Sequence, residues 1–195
     1  MGLPRKKKNY ISPEEFLEIR RNSPDDLEYI DGEIVARAGT SRAHGLITVA
    51  IAKLVDIALG SASCVASSGI SVAVQRSFLI PDLVVYCDGG DFTTEDDLLR
   101  NPVAVFEVLS DSTEGYDHGP KWMRYQQIPS LMHYVMISQD LPLVEVYSRE
   151  AEGEWHYRVA TGFDGVLSLS HLGFSITCRT STIVSSLSRK ADRRH

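Results

Sequence analysis

The chain predicts an α/β or α+β fold: a mixed central β-sheet flanked by helices, with extra β-hairpins. Three observations carry this. Apolar residues recur at helical spacing in three separated stretches. Short alternating or continuously apolar runs bounded by turn residues lie between and after them. One of those runs, residues 103–109, is nearly all apolar, as a central strand covered on both faces would be. Helices interleaved with strands in this order favour a mixed sheet over a bundle or a sandwich.

Ser12-Pro13-Glu14-Glu15 opens the first helix. Ser12 is placed to cap, Pro13 suits the first helical position, and Glu15 can complete a capping box; Asn22-Ser23-Pro24 ends it. Residues 27–30 and 33–38 flank Asp31-Gly32, a dipeptide that supplies the positive φ angles of a two-residue hairpin. Period-two alternation puts Glu28 and Ile30 on one face of that hairpin. Ser41 can cap a long helix with Leu46, Ile47, Ala50, Ile51, Leu54 and Val55 at helical spacing and Gly60 at its close. His44 falls in its first turn and is read as an ordinary surface residue.

Strands follow at 63–66, at 70–75, and from Pro81, where a missing N–H is tolerated. Residues 88–101 are acidic and irregular, with a helical turn expected over 94–99. After strand 103–109 comes a polar loop, and Asp117 can cap a helix through Lys121, Trp122, Tyr125 and Gln126 that Pro129 stops. Trp122 and Tyr125 at this spacing read as core rather than as a stacking platform. Strand 131–137, a hairpin of 144–148 with 155–160, a short strand at 166–169 and a closing helix at 180–187 complete the chain.

The length of 195 residues suits one domain over residues 11–187, between a basic tail at 1–10 and another at 188–195. The tails carry +4 and +3; removing their +7 from the net −6 leaves −13 on the body. Such a body is no bulk trap for nucleic acid, so a nucleic-acid enzyme here needs a local basic rim or metal ions to offset its acids. No run approaches the roughly 18 apolar residues of a membrane span, and no apolar stretch follows the basic start, so a cytoplasmic protein with no membrane partner is expected. Cys64, Cys87 and Cys178 form no CxxC pair and read as buried reduced thiols.

Asp82 begins one apolar run and Glu107 nearly ends another. If those strands are antiparallel neighbours, about 4.8 Å apart, both carboxylates meet at one sheet edge and a single ion can bridge them. The carbonyl of Val108 is a candidate third ligand, and Lys121 a cation able to orient water and hold a phosphate. Metal-assisted phosphodiester cleavage needs this set: an activated water and relief of charge on phosphorus. A buried acid within a strand is costly unless paired or metal-bound, which singles out Glu107.

These residues resemble the PD-(D/E)xK nuclease superfamily and, more closely, the Uma2 family (DUF820) of restriction endonucleases. The matching text is Leu27-Glu28-Tyr29-Ile30-Asp31-Gly32-Glu33, Pro81-Asp82-Leu83-Val84-Val85 and Phe106-Glu107-Val108-Leu109-Ser110, then Ser112-Thr113, Asp117, Lys121 and Tyr125. The likeness runs from about Ile11 to Ser186. The superfamily pattern places its lysine two residues after the acid, where this chain has Leu109. In families resembling this one the lysine moves to the following helix, which points to Lys121. The resemblance implies a restriction-endonuclease-like core, Mg²⁺ with Mn²⁺ as substitute, DNA as substrate and room for a homodimer. It carries over Asp82, Glu107 and Lys121 as catalytic residues, with Asp82, Glu107 and Val108 on the metal. Glu28 joins them as an acid brought in by the first hairpin; His44 and Lys53 stand behind Lys121 as substitutes. The other readings are a degenerate nuclease fold that binds nucleic acid or protein, and a hydrolase using the two acids without metal.

Overall fold

The structure, a computed structural model, describes residues 10–37, 39–60, 63–93, 96–150 and 153–179. The expected closing helix, the C-terminal tail and all but Tyr10 of the N-terminal tail lie outside these residues, as does the start of the turn expected at 94–99. In chain order the elements begin with α1 (Pro13–Asn22), β1 (Leu27–Ile30), β2 (Glu33–Ala36), α2 (Arg42–Leu59), β3 (Cys64–Ser67), β4 (Val72–Val74), β5 (Ser77–Leu79), β6 (Leu83–Cys87) and β7 (Ala104–Leu109). There follow α3 (Glu114–Tyr116), a π-helical turn (Asp117–Lys121) and α4 (Trp122–Tyr125). Then come β8 (His133–Ser138), β9 (Leu143–Arg149), β10 (Trp155–Thr161), β11 (Val166–Leu169), a 3₁₀ turn (Ser170–Leu172) and β12 (Phe174–Thr177). No described helix is long and apolar enough to cross a membrane.

The local signals act as expected at the helix starts and the first hairpin. Ser12 Oγ accepts from the Glu15 N–H at 3.2 Å, and Ser41 Oγ from the His44 N–H at 3.0 Å. Asp31 (φ 50°) and Gly32 (φ 97°) turn β1 into β2. A Cβ at Gly32 would also overlap the Tyr10 ring.

Among the described residues the main sheet runs β10-β9-β8-β7-β6-β3 and a second runs β2-β1-β5-β4; β11 and β12 form a small ribbon. The β7–β8 pair is parallel and every other pair in the main sheet is antiparallel, so the sheet is mixed. A parallel pair needs a crossover, and the segment from α3 to α4 supplies it.

Strand parity sorts the core. On one face Leu83, Val85, Ala104, Phe106, Val108, Val135 and Ile137 pack against Ile47, Ile51, Val55 and Leu59 of α2. On the other, Val84, Val105, Leu109, Tyr134 and Met136 meet Tyr125, Ile128 and Leu131, with Val72, Val74 and Leu79 of the second sheet. Both faces of β6 to β8 are therefore covered, which explains their unbroken apolar runs. Each such aliphatic side chain contributes about 1.5–3 kcal/mol. Trp122 stacks on Tyr147 at 4.1 Å and packs beside Tyr134, and Tyr125 is fully buried, in keeping with the core reading.

Four details depart from expectation. The crossover helix starts at Glu114, three residues before Asp117, and Asp117 is the C-cap of that first turn rather than an N-cap. It begins a π-helical turn that contains Pro120. Proline has no N–H to donate, and the widened turn absorbs the missing bond. β5 and β12 are strands that the polar residues around them concealed. Cys64 and Cys87 are register partners across β3 and β6 and form a disulfide, which corrects the reading of both as reduced thiols. Their separation of 23 residues hides a contact made only when β3 returns beside β6. Cys178 is a buried thiol that donates to the Ala160 carbonyl.

His133 on β8 is wholly buried. Its Nδ1–H donates to Ser148 Oγ at 3.0 Å, and its Nε2 accepts from the His171 N–H at 3.3 Å, so the ring is neutral. Burial, with the His171 and Arg158 charges, pushes its pKa down to about 4. A depressed histidine contributes stability that is present above its unfolded value of about 6.5 and lost as pH falls through the folded value. Urea unfolding should therefore show stability dropping between about pH 6.5 and 4, by up to about 3 kcal/mol from this group. His133→Asn should flatten that limb.

Candidate active site

The site is set by one register. Leu83 lies opposite Phe106 in the antiparallel β6–β7 pair, so the next step beyond the pair places Asp82 opposite Glu107 at the open end of β6. Glu107 has the parity of Val105 and Leu109 and so lies on the face that the crossover covers. The crossover lays Lys121 there, with Nζ 2.8 Å from Glu107 Oε1. The same ammonium lies 3.6 Å from Asp117 Oδ1, 3.7 Å from Glu28 Oε1 and 3.3 Å from the Ile80 carbonyl to which it donates. The hairpin carries Glu28 in from the second sheet; its Oε1 accepts from the Ile80 N–H at 2.8 Å and its Oε2 from the Tyr116 hydroxyl at 3.0 Å.

Asp82 is held separately. Its Oδ1 accepts from Arg37 Nη2 at 2.7 Å. Its Oδ2 accepts from the Val108 N–H at 2.7 Å and from His44 Nε2 at 3.0 Å. His44 is thus a buried partner of Asp82, which corrects its surface reading. The missed signal is positional: His44 heads the buried stripe of Ile47, Ile51, Val55 and Leu59. Arg37, directly after β2, was not singled out, since one arginine beside a hairpin carries no pattern. Lys53 is exposed on α2 and takes no part. Glu28, Asp82, Glu107, Val108 and Lys121, all expected, line one cavity of about 430 Å³ together with Arg37, His44, Tyr116 and Asp117.

The two strand acids sit in opposite electrostatic settings. Burial would raise Asp82, but the His44 and Val108 hydrogen bonds and the Arg37 charge hold it below the usual carboxylate range. Burial pushes Glu107 well up; Lys121 opposes this, and the Asp82 and Asp117 charges add to it. Asp117 is raised by burial in the same way against the pull of Lys121. Burial would lower Lys121, yet Glu107, Glu28 and Asp117 together drive it upward, so it is a fixed cation.

Among the described residues no three His, Cys, Asp or Glu side chains converge as a metal cage. The donor chemistry nonetheless fits a hard cation that retains water. Mg²⁺ commonly takes one or two carboxylates plus waters, and Asp82 and Glu107 offer two. Glu107 Oε1 is buried with no hydrogen bond of good geometry. The Val108 N–H points at Asp82, and a strand residue sends its carbonyl to the same side.

A mixed sheet with acids on facing strands and a lysine brought over them by the crossover defines a restriction-endonuclease-like nuclease fold. Residues 13–179 match the Uma2 family, described as "Putative restriction endonuclease", and the chain belongs to that family. It is 32% identical over 148 residues to the uncharacterized protein slr1290 of Synechocystis sp., covering 74% of this chain and 77% of that one. It is 29% identical over 149 residues to sll1609 of the same organism, covering 74% and 84%. A crystal structure from Anabaena variabilis, described as a putative nuclease of DUF820, matches with a TM-score of 0.72 at 15% identity, over 88% of this chain and 97% of that one. At that identity the likeness speaks for the fold.

Removing one partner of a buried ion pair leaves uncompensated charge, at a cost of about 3–5 kcal/mol. Lys121→Met leaves three carboxylates facing one another and should lose stability of that order in urea unfolding at neutral pH. Because the raised Glu107 and Asp117 take up protons as pH falls, the loss should shrink in acid.

Proposed function

We propose that the chain is a Mg²⁺-dependent endonuclease that hydrolyses DNA phosphodiester bonds, with Mn²⁺ able to replace Mg²⁺. The observation that carries this is the register that sets Asp82 opposite Glu107, with Lys121 2.8 Å from the latter. Asp82, Glu107 and the Val108 carbonyl would hold the ion, which supplies charge relief on the phosphate and acidifies a water. Glu107, Glu28 and Asp117 drive the Lys121 pKa upward, which suits it to act as a charge and a donor rather than as a base. From beside Glu107 it orients a water and steadies the negative charge that develops on a phosphate oxygen. Glu28 and Tyr116 serve as positioning residues, because their mutual hydrogen bond and the Glu28–Lys121 contact fix where the ammonium lies. One observation favours a second reading, a non-cleaving binding module: both Asp82 oxygens already have partners.

Plasmid cleavage across Mg²⁺, Mn²⁺ and EDTA separates the two. Nicking in either metal, absent in EDTA and reduced to background by Asp82→Asn or Glu107→Gln, is the expected result; intact plasmid throughout supports the binding module. Lys121→Gln, assayed in single turnover at a temperature where it stays folded, should be slower by about 10²–10³. The same ions should raise the melting temperature of the wild type, since a ligand that binds only the folded state stabilises it. That shift should vanish in the Asp82→Asn, Glu107→Gln double variant.

A further inference from the structure

Lys121 is enclosed by acceptors of its own chain and is too buried to make the first contact with an incoming substrate. An ammonium has three N–H groups, and Glu107, Asp117, Glu28 and the Ile80 carbonyl all lie within 3.7 Å of this one, whose side chain is 4% exposed. His44 spends Nε2 on Asp82. The third basic side chain among the described residues lining the cavity is Arg37. It is 23% exposed and holds Asp82 through Nη2. A guanidinium carries five N–H donors in a planar fork, so most of its donors remain for a ligand. Its main chain is fixed where β2 ends, by the Arg37 N–H donating to the Asp26 carbonyl at 3.0 Å, which leaves the side chain as the part that turns. The same cavity lining also holds the hydroxyls of Thr40, Ser110 and Ser112, neutral groups able to donate to an anion, beside the carboxylate of Asp111.

We infer that Arg37 is the phosphate-binding residue of this site, and that it exchanges Asp82 for a substrate phosphate when a divalent cation takes the Asp82 carboxylate. This rests on the nuclease reading above. The exchange follows from charge. A guanidinium and a divalent cation at one carboxylate repel each other, while a phosphate gives the guanidinium a new anion that matches its fork. Arg37 therefore competes with the metal when no substrate is present and stops competing when substrate binds. By linkage, metal and substrate each strengthen the other's binding by the same factor.

The test uses the full chain and two variants, Arg37→Ala and Arg37→Lys, checked for folding by circular dichroism. Mn²⁺ alone is titrated by calorimetry, and a short fluorescent DNA duplex by anisotropy with Ca²⁺ in place of Mg²⁺. Arg37→Ala should bind Mn²⁺ alone at least about 5-fold more tightly, the lower end of ordinary coupling between sites. It should bind the duplex about 10- to 100-fold more weakly, as loss of a charge-assisted hydrogen bond implies, and its cleavage should show a raised KM with a smaller change in kcat. Arg37→Lys keeps the charge without the fork; it should resemble the wild type toward Mn²⁺, fall between the two toward DNA, and carry the test if Arg37→Ala does not fold. Wild-type duplex affinity in either folded variant, or weaker Mn²⁺ binding by Arg37→Ala, overturns the inference and makes Arg37 a buttress for Asp82. If the wild type itself neither binds Mn²⁺ nor cleaves, the nuclease reading falls and this inference with it; if it cleaves and Arg37→Ala has an unchanged KM, only the role of Arg37 falls.

Discussion

A buried ammonium is the constraint on which this structure turns. Lys121 is almost inaccessible to water, and a lone charge in that position would not stay charged. It does so because three carboxylates reach it from three separate parts of the chain: Glu28 from the first hairpin, Glu107 from β7 and Asp117 from the crossover itself. Those parts cannot move independently without stranding a charge. The second sheet is thereby tied to the main one, and the crossover to the strand it covers. Such ion clusters are weak contributors to net stability but strict about geometry.

The same cluster gives the cavity more carboxylates than cationic side chains. Glu28, Asp82, Glu107 and Asp117 face the cavity against Lys121 and Arg37, with His44 as a hydrogen-bonding partner. Burial raises Glu107 and Asp117, and the neighbouring carboxylates add to it, because the surroundings disfavour their ionised forms. Asp82, a single register step across the sheet, is held in the opposite direction by His44, the Val108 amide and Arg37. Two carboxylates with pKa values pushed apart by their settings are the usual mark of divided roles in a working site. Against a body of charge −13, this cavity gathers the two cationic side chains Lys121 and Arg37 among its acids.

Much of this was legible in the sequence, in a particular way. Continuous apolar runs mark β6 and β7, apolar residues at helical spacing mark α2, and the acid inside an apolar strand marks Glu107. The Asp-Gly turn gave the hairpin that brings in Glu28. What stayed hidden depends on tertiary contact. Arg37 has no periodicity and acquires meaning only from Asp82, 45 residues away. Cys64 and Cys87 needed the β3–β6 register. His44 was visible in the helical stripe but was judged by residue type, and type alone misleads when a carboxylate waits at the head of the helix. The π-helical turn has no signature in residue pattern: a helix read through Lys121 with Pro120 in its first turn does not show that the turn there widens.

The displaced lysine has a simple geometric account. Residues 107 and 109 share a face of β7, so the usual lysine two places after the acid would lie along that face beside the carboxylate. In this chain Leu109 takes that place and joins Val105, Tyr134 and Met136 in the core. The ion pair with Glu107 does not require the cation to come from β7; it requires an ammonium over that face, close to the carboxylate. β7 and β8 are parallel, so the chain must cross over between them. The face on which it crosses is the one Glu107 occupies, and any cationic side chain on the underside of the crossover meets the acid. A π-helical turn re-aims side chains relative to a regular helix. Here it holds Asp117 and Lys121 together, 3.6 Å apart, with Lys121 turned inward to Glu107. Replacing a strand lysine by a crossover lysine thus releases position 109 to the apolar core and anchors the crossover over the acid by an ion pair. The site and the parallel pair beneath it are then held by the same contact.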